Sequence, residues 1–273
     1  MKGKTDKMIV NKIKKLSLFL TIALVFNICA CVEAEASGEY SWYCKRAKDH
    51  IQPSLPTEFE IINEYDCMYI DTAHTEPDAA EKKVYLTFDA GYENGNIEKI
   101  LNVLNENDVR GAFFILSNLI NTSPELVKRM ADEGHLVCNH TSKHKDMSKV
   151  LDIDTFKSEL ESLEKLYAEA TGKQMSKYFR PPEGKFSRKT LEFASQLGYK
   201  TVFWSFAYAD WDNGAQMDTS AAKRKILDNV HNGAIILLHP TSATNAAILG
   251  DIIKELKTQG YSFGMLDEII LGQ

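Results

Sequence analysis

The chain has 273 residues, of which 44% are hydrophobic, and a formal net charge of −6. That is apolar material for a large core, and one α/β barrel can use the whole length, so disorder over most of the chain is excluded. The acidic balance argues against nucleic acid as a partner.

The start stands apart. Six lysines among residues 2–15 precede "LSLFLTIALVFNICACV", an apolar run of signal-peptide rather than comfortable membrane-spanning length. The chain therefore reads as exported. Ala34 and Ala36 form an A-x-A pattern before Ser37, and "ICAC" around Cys31 is an imperfect lipoprotein-type alternative. A retained anchor is the third outcome, and Glu33 and Glu35 weigh against it by ending the apolar run abruptly. Residues 1–36 are thus assigned to a signal peptide or a membrane or lipid anchor, and membrane contact is confined to that segment. Removing them takes away six lysines and three acids and moves the net charge from −6 to −9. Cys44, Cys67 and Cys138 remain; Cys44 and Cys67 are candidates for a disulfide, while Cys138 in "HLVCN" reads as a buried free thiol.

Residues 37–82, with Trp42, Tyr43, "QPSLP" and "HTEPDAAEKK", show little periodicity and read as an extension wrapped on a domain of residues 83–273. From Lys83 the pattern is regular. Seven β-rich runs, "VYLTF", "GAFFIL", "HLVCN", "KYFR", "TVFW", "GAIILLH" and "YSFGML", alternate with helical stretches. The helices are expected at 97–107, at 124–133 capped by Ser123, and at 155–171, 187–197, 221–230 and 245–259. Strict alternation predicts a parallel sheet, doubly wound or closed into a distorted, incomplete (β/α) barrel of about seven strands. Asp89, His140, Arg180, Asp210 and His239 all fall at or after C-terminal strand ends. A barrel brings such ends to one face, whereas an open sheet spreads them along a crevice, so the barrel is favoured.

The chemistry of these residues follows from their neighbours. Asp89 ends an apolar run, where an ionised carboxylate needs partners. "NHTSKH" sets His140 and His144 four apart, able to grip one cation if the loop coils helically; an isolated HxxxH is more often a pair of surface or hydrogen-bonded histidines. "RPPEG" places Arg180 before two prolines, a rigid loop able to aim a guanidinium at a carboxylate, although Pro-Pro marks plain connections too. His239 ends an almost wholly apolar strand, and a histidine supported by an acid such as Asp210 is a candidate proton donor. The glycines of "GYENG" lack a phosphate-loop pattern, and no G-x-S-x-G elbow occurs.

In order, "TFDA", "HTSKH", "RPPEG", "ADW" and "LLH" resemble the five motifs of the NodB-type polysaccharide deacetylases, carbohydrate esterase family 4, over residues 83–270. "PSLPTEFEIINEYDCMYI", "TFDAGYENG" and "FWSFAYADW" look like the branch that deacetylates muramic acid on the way to the δ-lactam of spore cortex peptidoglycan. The resemblance implies a distorted (β/α) barrel, a zinc-type metal held by two histidines and an aspartate, and hydrolysis of an N-acetyl group on peptidoglycan glycan strands. It implies Asp89 as base, His239 steered by Asp210 as acid, and Arg180 as partner of Asp89. The backbone N–H of Glu183 becomes an oxyanion donor, with Trp211 and Leu237 walling the acetyl pocket. Two positions depart: the second acid of the usual "TFDD" is Ala90, which leaves His140 and His144 as metal ligands and a weaker site, and the earlier acid of the fourth motif is Ala207. The rival readings are an acetyl-xylan or chitin-oligosaccharide deacetylase on the same fold, and a glycan-binding module that has lost catalysis.

Overall fold

The structure, a computed structural model, describes residues 38–270. The assigned signal or anchor segment, 1–36, lies outside them. An eight-stranded sheet runs along the chain as β1 (Cys67–Met68), β2 (Lys82–Ala90), β3 (Ala112–Ile115), β4 (Leu136–Asn139), β5 (Ser176–Phe179), β6 (Lys200–Val202), β7 (Ala234–Leu238) and β8 (Tyr261–Phe263). Spatially the order is β8-β2-β3-β4-β5-β6-β1, with β7 also paired to β2, and every paired strand is parallel. Two isolated bridges, from Phe206 just past β6 to Ile236 and from Ile70 just past β1 to Ala234, draw the far side of the sheet round to β7 and so toward β2. The sheet is therefore a curled, incomplete barrel. Its seven long-range strands are those expected; the eighth, β1, comes from the extension, whose weak periodicity concealed a two-residue strand and the 3-10 helix Thr57–Glu64.

Side-chain alternation along β2 decides what faces where. Val84, Leu86, Phe88 and Ala90 join a large apolar cluster with residues of the helices Ile97–Glu106 and Ala243–Thr258. Tyr85 instead joins Phe114, Cys138, Tyr178, Val202 and Ile235, one or more residues from each neighbouring strand. Counting on by two from that inner set gives Thr87 and Asp89, His140, Arg180, Trp204, and Leu237 and His239. The inner face of the barrel thus runs from a plug of apolar side chains straight into the polar mouth.

The helices carry the expected signals with shifted ends. Ile153–Thr171 begins two residues early because Asp152 caps it by accepting from the Thr155 N–H at 2.8 Å, and it stops at the left-handed Gly172. Ser187 caps Arg188–Gln196 in a reciprocal box with Thr190. Ser123 does occupy the position before Pro124–Asp132, but its side chain makes no capping bond. A short helix, Ser117–Thr122, was not foreseen; six residues are too few to show a period. Cys44 and Cys67, the candidates for a disulfide, are both free thiols, and Cys138 is buried and free. Among the described residues no helix is long and apolar enough to cross a membrane.

Candidate active site

Above the apolar plug lies a cleft of about 750 Å³. Its lining includes Asp89, His140, His144, Glu183, Trp211, Leu237 and His239, drawn from β2 and β7 and from the loops after β4, β5, β6 and β7. Tyr92, Trp42, Trp204 and Tyr208 line it as well.

Arg180 is completely buried, and every arm of its guanidinium is engaged. Nη1 donates to Asp89 Oδ1 at 2.8 Å, Nη2 to Thr87 Oγ1 at 2.9 Å and to the Phe203 carbonyl at 3.3 Å, and Nε to the Val202 carbonyl at 3.1 Å. The cation also lies 4.1 Å from the centre of the Phe114 ring. Such a fork fixes one carboxylate oxygen and leaves the other, Oδ2, facing His140 Nε2 at 3.5 Å. Burial pushes the Asp89 pKa upward, but the charge of Arg180, helped by His239, outweighs it and holds the carboxyl below its usual range. Asp89 is therefore an ionised acceptor with one oxygen free to take a proton.

The loop carrying His140 and His144 does not coil helically. Thr141 and His144 both have left-handed backbone, φ 70° and 55°, and Asn139 ties the turn by accepting from the Thr141 N–H at 2.9 Å. The two rings still meet edge to face with centroids 5.0 Å apart. His140 Nδ1 is 2.8 Å from the Arg180 carbonyl oxygen, to which it donates, so Nε2 carries the lone pair toward the cleft. Burial lowers the His140 pKa to about 4, against the pull of Asp89, and the ring is neutral. A neutral imidazole with its second nitrogen anchored on a carbonyl suits a divalent cation, and His144 adds a second. No group of three His, Cys, Asp or Glu fit to hold a metal occurs among the described residues. Ala90 is fully buried in the outer apolar cluster, while its neighbours Asp89 and Gly91 line the cleft.

Across the cleft, Asp210 is buried and wholly committed to the His239 turn. Its Oδ1 lies 2.7 Å from His239 Nδ1, and its Oδ2 accepts from the His239 main-chain N–H at 2.8 Å and from the Asn245 amide at 2.6 Å. Burial pulls the His239 pKa down, but the hydrogen bond and charge of Asp210 more than reverse this, and the net shift is upward. His239 can thus carry a proton into the cleft. Trp211 stands 6.1 Å from the His239 ring, and at 60% exposed it forms the rim rather than an enclosed wall; Leu237 is buried beneath.

Glu183 sits with φ 56° in a tight turn after Pro181 and Pro182, closed by the Gly184 N–H on the Pro181 carbonyl at 3.0 Å, which leaves the Glu183 N–H out of that bond. The Glu183 side chain turns away to Lys185. Gly184 is required: its φ is +68°, and a Cβ there would lie 2.9 Å from Trp204 and 3.0 Å from Trp42.

The geometry has close relatives. The chain is 38% identical over 255 residues to the peptidoglycan-N-acetylmuramic acid deacetylase PdaA of Bacillus subtilis, covering 93% of this chain and 94% of that one. It belongs to the polysaccharide deacetylase family. The model of that family matches residues 76–202. The solved structure of Bacillus subtilis PdaA, a family 4 carbohydrate esterase, superposes with a TM-score of 0.79 at 39% identity, over 85% of this chain and 97% of that one. A family 4 carbohydrate esterase from Bacillus anthracis gives 0.68 at 34% identity, over 85% and 96%. The protein is accordingly a deacetylase, a hydrolase of the family whose members depend on a metal.

Sequence reasoning missed Trp42, which lines the cleft, and Asn245, which supports Asp210 from behind it. Asn245 was read only as the start of a helix, and Trp42 only as part of an extension. Nothing local marks either one, because their partners Asp210 and Trp204 are 35 and 162 residues away in sequence.

Proposed function

We propose that the protein removes the acetyl group from N-acetylmuramic acid in peptidoglycan glycan strands, releasing acetate and a free amine, outside the cytoplasm. The arrangement that supports this best is the pairing, across one cleft, of a carboxylate held ionised by Arg180 and a histidine whose pKa is raised by Asp210. Asp89, its Oδ1 pinned by Arg180, takes a proton from the attacking water at Oδ2. The resulting tetrahedral oxyanion faces the Glu183 main-chain N–H, a contribution of about 3 kcal/mol in comparable sites. His239, oriented by Asp210, gives its proton to the amine as the C–N bond breaks. Leu237 and Trp211 bound the space for the acetyl methyl.

A divalent cation of the zinc type would be held by His140 and His144 and would supply Lewis-acid polarisation of the reacting oxygen. Two imidazoles are one ligand fewer than the usual catalytic zinc set, so the hold is weaker. The muramoyl assignment draws on the similarity to PdaA, and formation of cortex δ-lactam during sporulation extends the same reading. Export follows from a cell-wall substrate and the lysine-rich, apolar start. Mass spectrometry of peptidoglycan digests stripped of stem peptides tests it: muramic residues should lose acetyl while glucosamine residues keep it. Loss only from glucosamine, or only from xylan acetates, would replace the substrate; loss from none would favour a binding module.

A further inference from the structure

The residues lining the cleft include the carboxylate of Asp89 and the Glu183 turn, and neither Lys nor Arg is among them. An anionic sugar entering such a mouth is favoured by a cation at the rim, in addition to any held by His140 and His144. Residues 42–46 run along the wall formed by residues 204–207: the Trp42 indole N–H donates to the Trp204 carbonyl at 2.9 Å, the Cys44 thiol bonds the Ala207 backbone, and Arg46 Nη2 reaches the Ala207 carbonyl at 3.4 Å. Trp42, Trp204 and Ala207 all line the cleft, and the Arg46 guanidinium lies beside the last of them. Arg46 is exposed, lies 5.9 Å over the Phe206 ring, and among the described residues no carboxylate pairs with it. A stacked guanidinium with one N–H on a carbonyl keeps a planar pair of donors free, the shape that grips a carboxylate. Lys185, the cation beside Glu183, is already engaged by that acid at 2.6 Å.

We infer that Arg46 binds the lactyl carboxylate of the muramoyl sugar and sets selectivity for it over the neutral N-acetylglucosamine. The inference rests on the muramoyl reading above and adds to it a residue from the extension, outside the five motifs. Acetate release should be followed for the full-length protein, wild type, Arg46→Gln and Arg46→Lys, on a peptide-free muramoyl tetrasaccharide and on the same glycan with its lactyl carboxyls converted to methyl amides. For the free acid, Arg46→Gln should raise KM about tenfold with kcat within about twofold, and Arg46→Lys should fall between. Amidation should cost the wild type a similar factor and the Gln variant little, because carboxylate and guanidinium are then removed from the same contact. Equal losses from amidation in wild type and variant, or an unchanged KM in Arg46→Gln, would overturn the role of Arg46 and leave the muramoyl reading standing. A wild type that releases no acetate from either glycan would overturn both.

Discussion

The two carboxylates that set the base and the acid, Asp89 and Asp210, are held in opposite ways. Asp89 meets a permanent cation, which lowers its pKa and leaves one oxygen open to the cleft. Asp210 meets a titratable ring and two N–H donors, and spends its charge on raising the pKa of His239. The same functional group thus makes a base on one wall and helps to make an acid on the other, and the difference lies wholly in the partner.

Breaking the base side should have the largest effect. Asp89→Asn keeps an oxygen for Arg180 but cannot take a proton, and kcat should fall about a thousandfold in acetate-release assays. Arg180 retains its bonds to Val202, Phe203 and Thr87, so the variant should remain folded by circular dichroism, with stability lowered by about 1–3 kcal/mol. Removing the acid comes next: His239→Ala should lower kcat by at least about a hundredfold, part of which exogenous imidazole should restore. The smallest effect is expected from Asn245→Ala, which takes one of three donors from Asp210 but leaves its charge; kcat should drop about threefold to fivefold, with KM unchanged. A loss as large as that of His239→Ala would mean that Asn245 itself touches substrate.

Stability should report the same asymmetry through pH. A histidine whose folded pKa is raised contributes stability that is fully present below its unfolded pKa and is lost as pH rises through the folded value. The stability difference between wild type and His239→Ala should therefore shrink with rising pH, moving from just below the ordinary histidine pKa toward the alkaline side, as measured by urea unfolding.

Much of this contrast was legible in the chain because alternation along a strand is strict. Once Tyr85, Tyr178 and Ile235 are taken as inward, Asp89, Arg180 and His239 must follow at even spacing, and the apolar runs marked the strands well enough to count from. The loops were not legible to the same degree. A shared grip by His140 and His144 was read as conditional on a helical coil, but Thr141 and His144 take left-handed backbone, which is a property of the turn tied by Asn139 rather than of the HxxxH spacing. Ala90 was legible as a missing ligand but not as a member of the outer core, which the same alternation dictates. The extension hid most: a β-strand of two residues carries no period, and the contact of Trp42 with Trp204 is set by tertiary packing alone.

The central claim, that Asp210 exists to keep a proton on His239, is tested most directly by the pH dependence of kcat/KM in wild type and Asp210→Asn. The wild-type alkaline limb should lie above the ordinary histidine pKa of about 6.5, because the ring holds its proton beyond that point. An amide at 210 removes the negative charge, so the alkaline limb should move to lower pH while the acid limb stays in place. An alkaline limb that does not move, or an acid limb that moves with it, would contradict the division of labour between the two carboxylates.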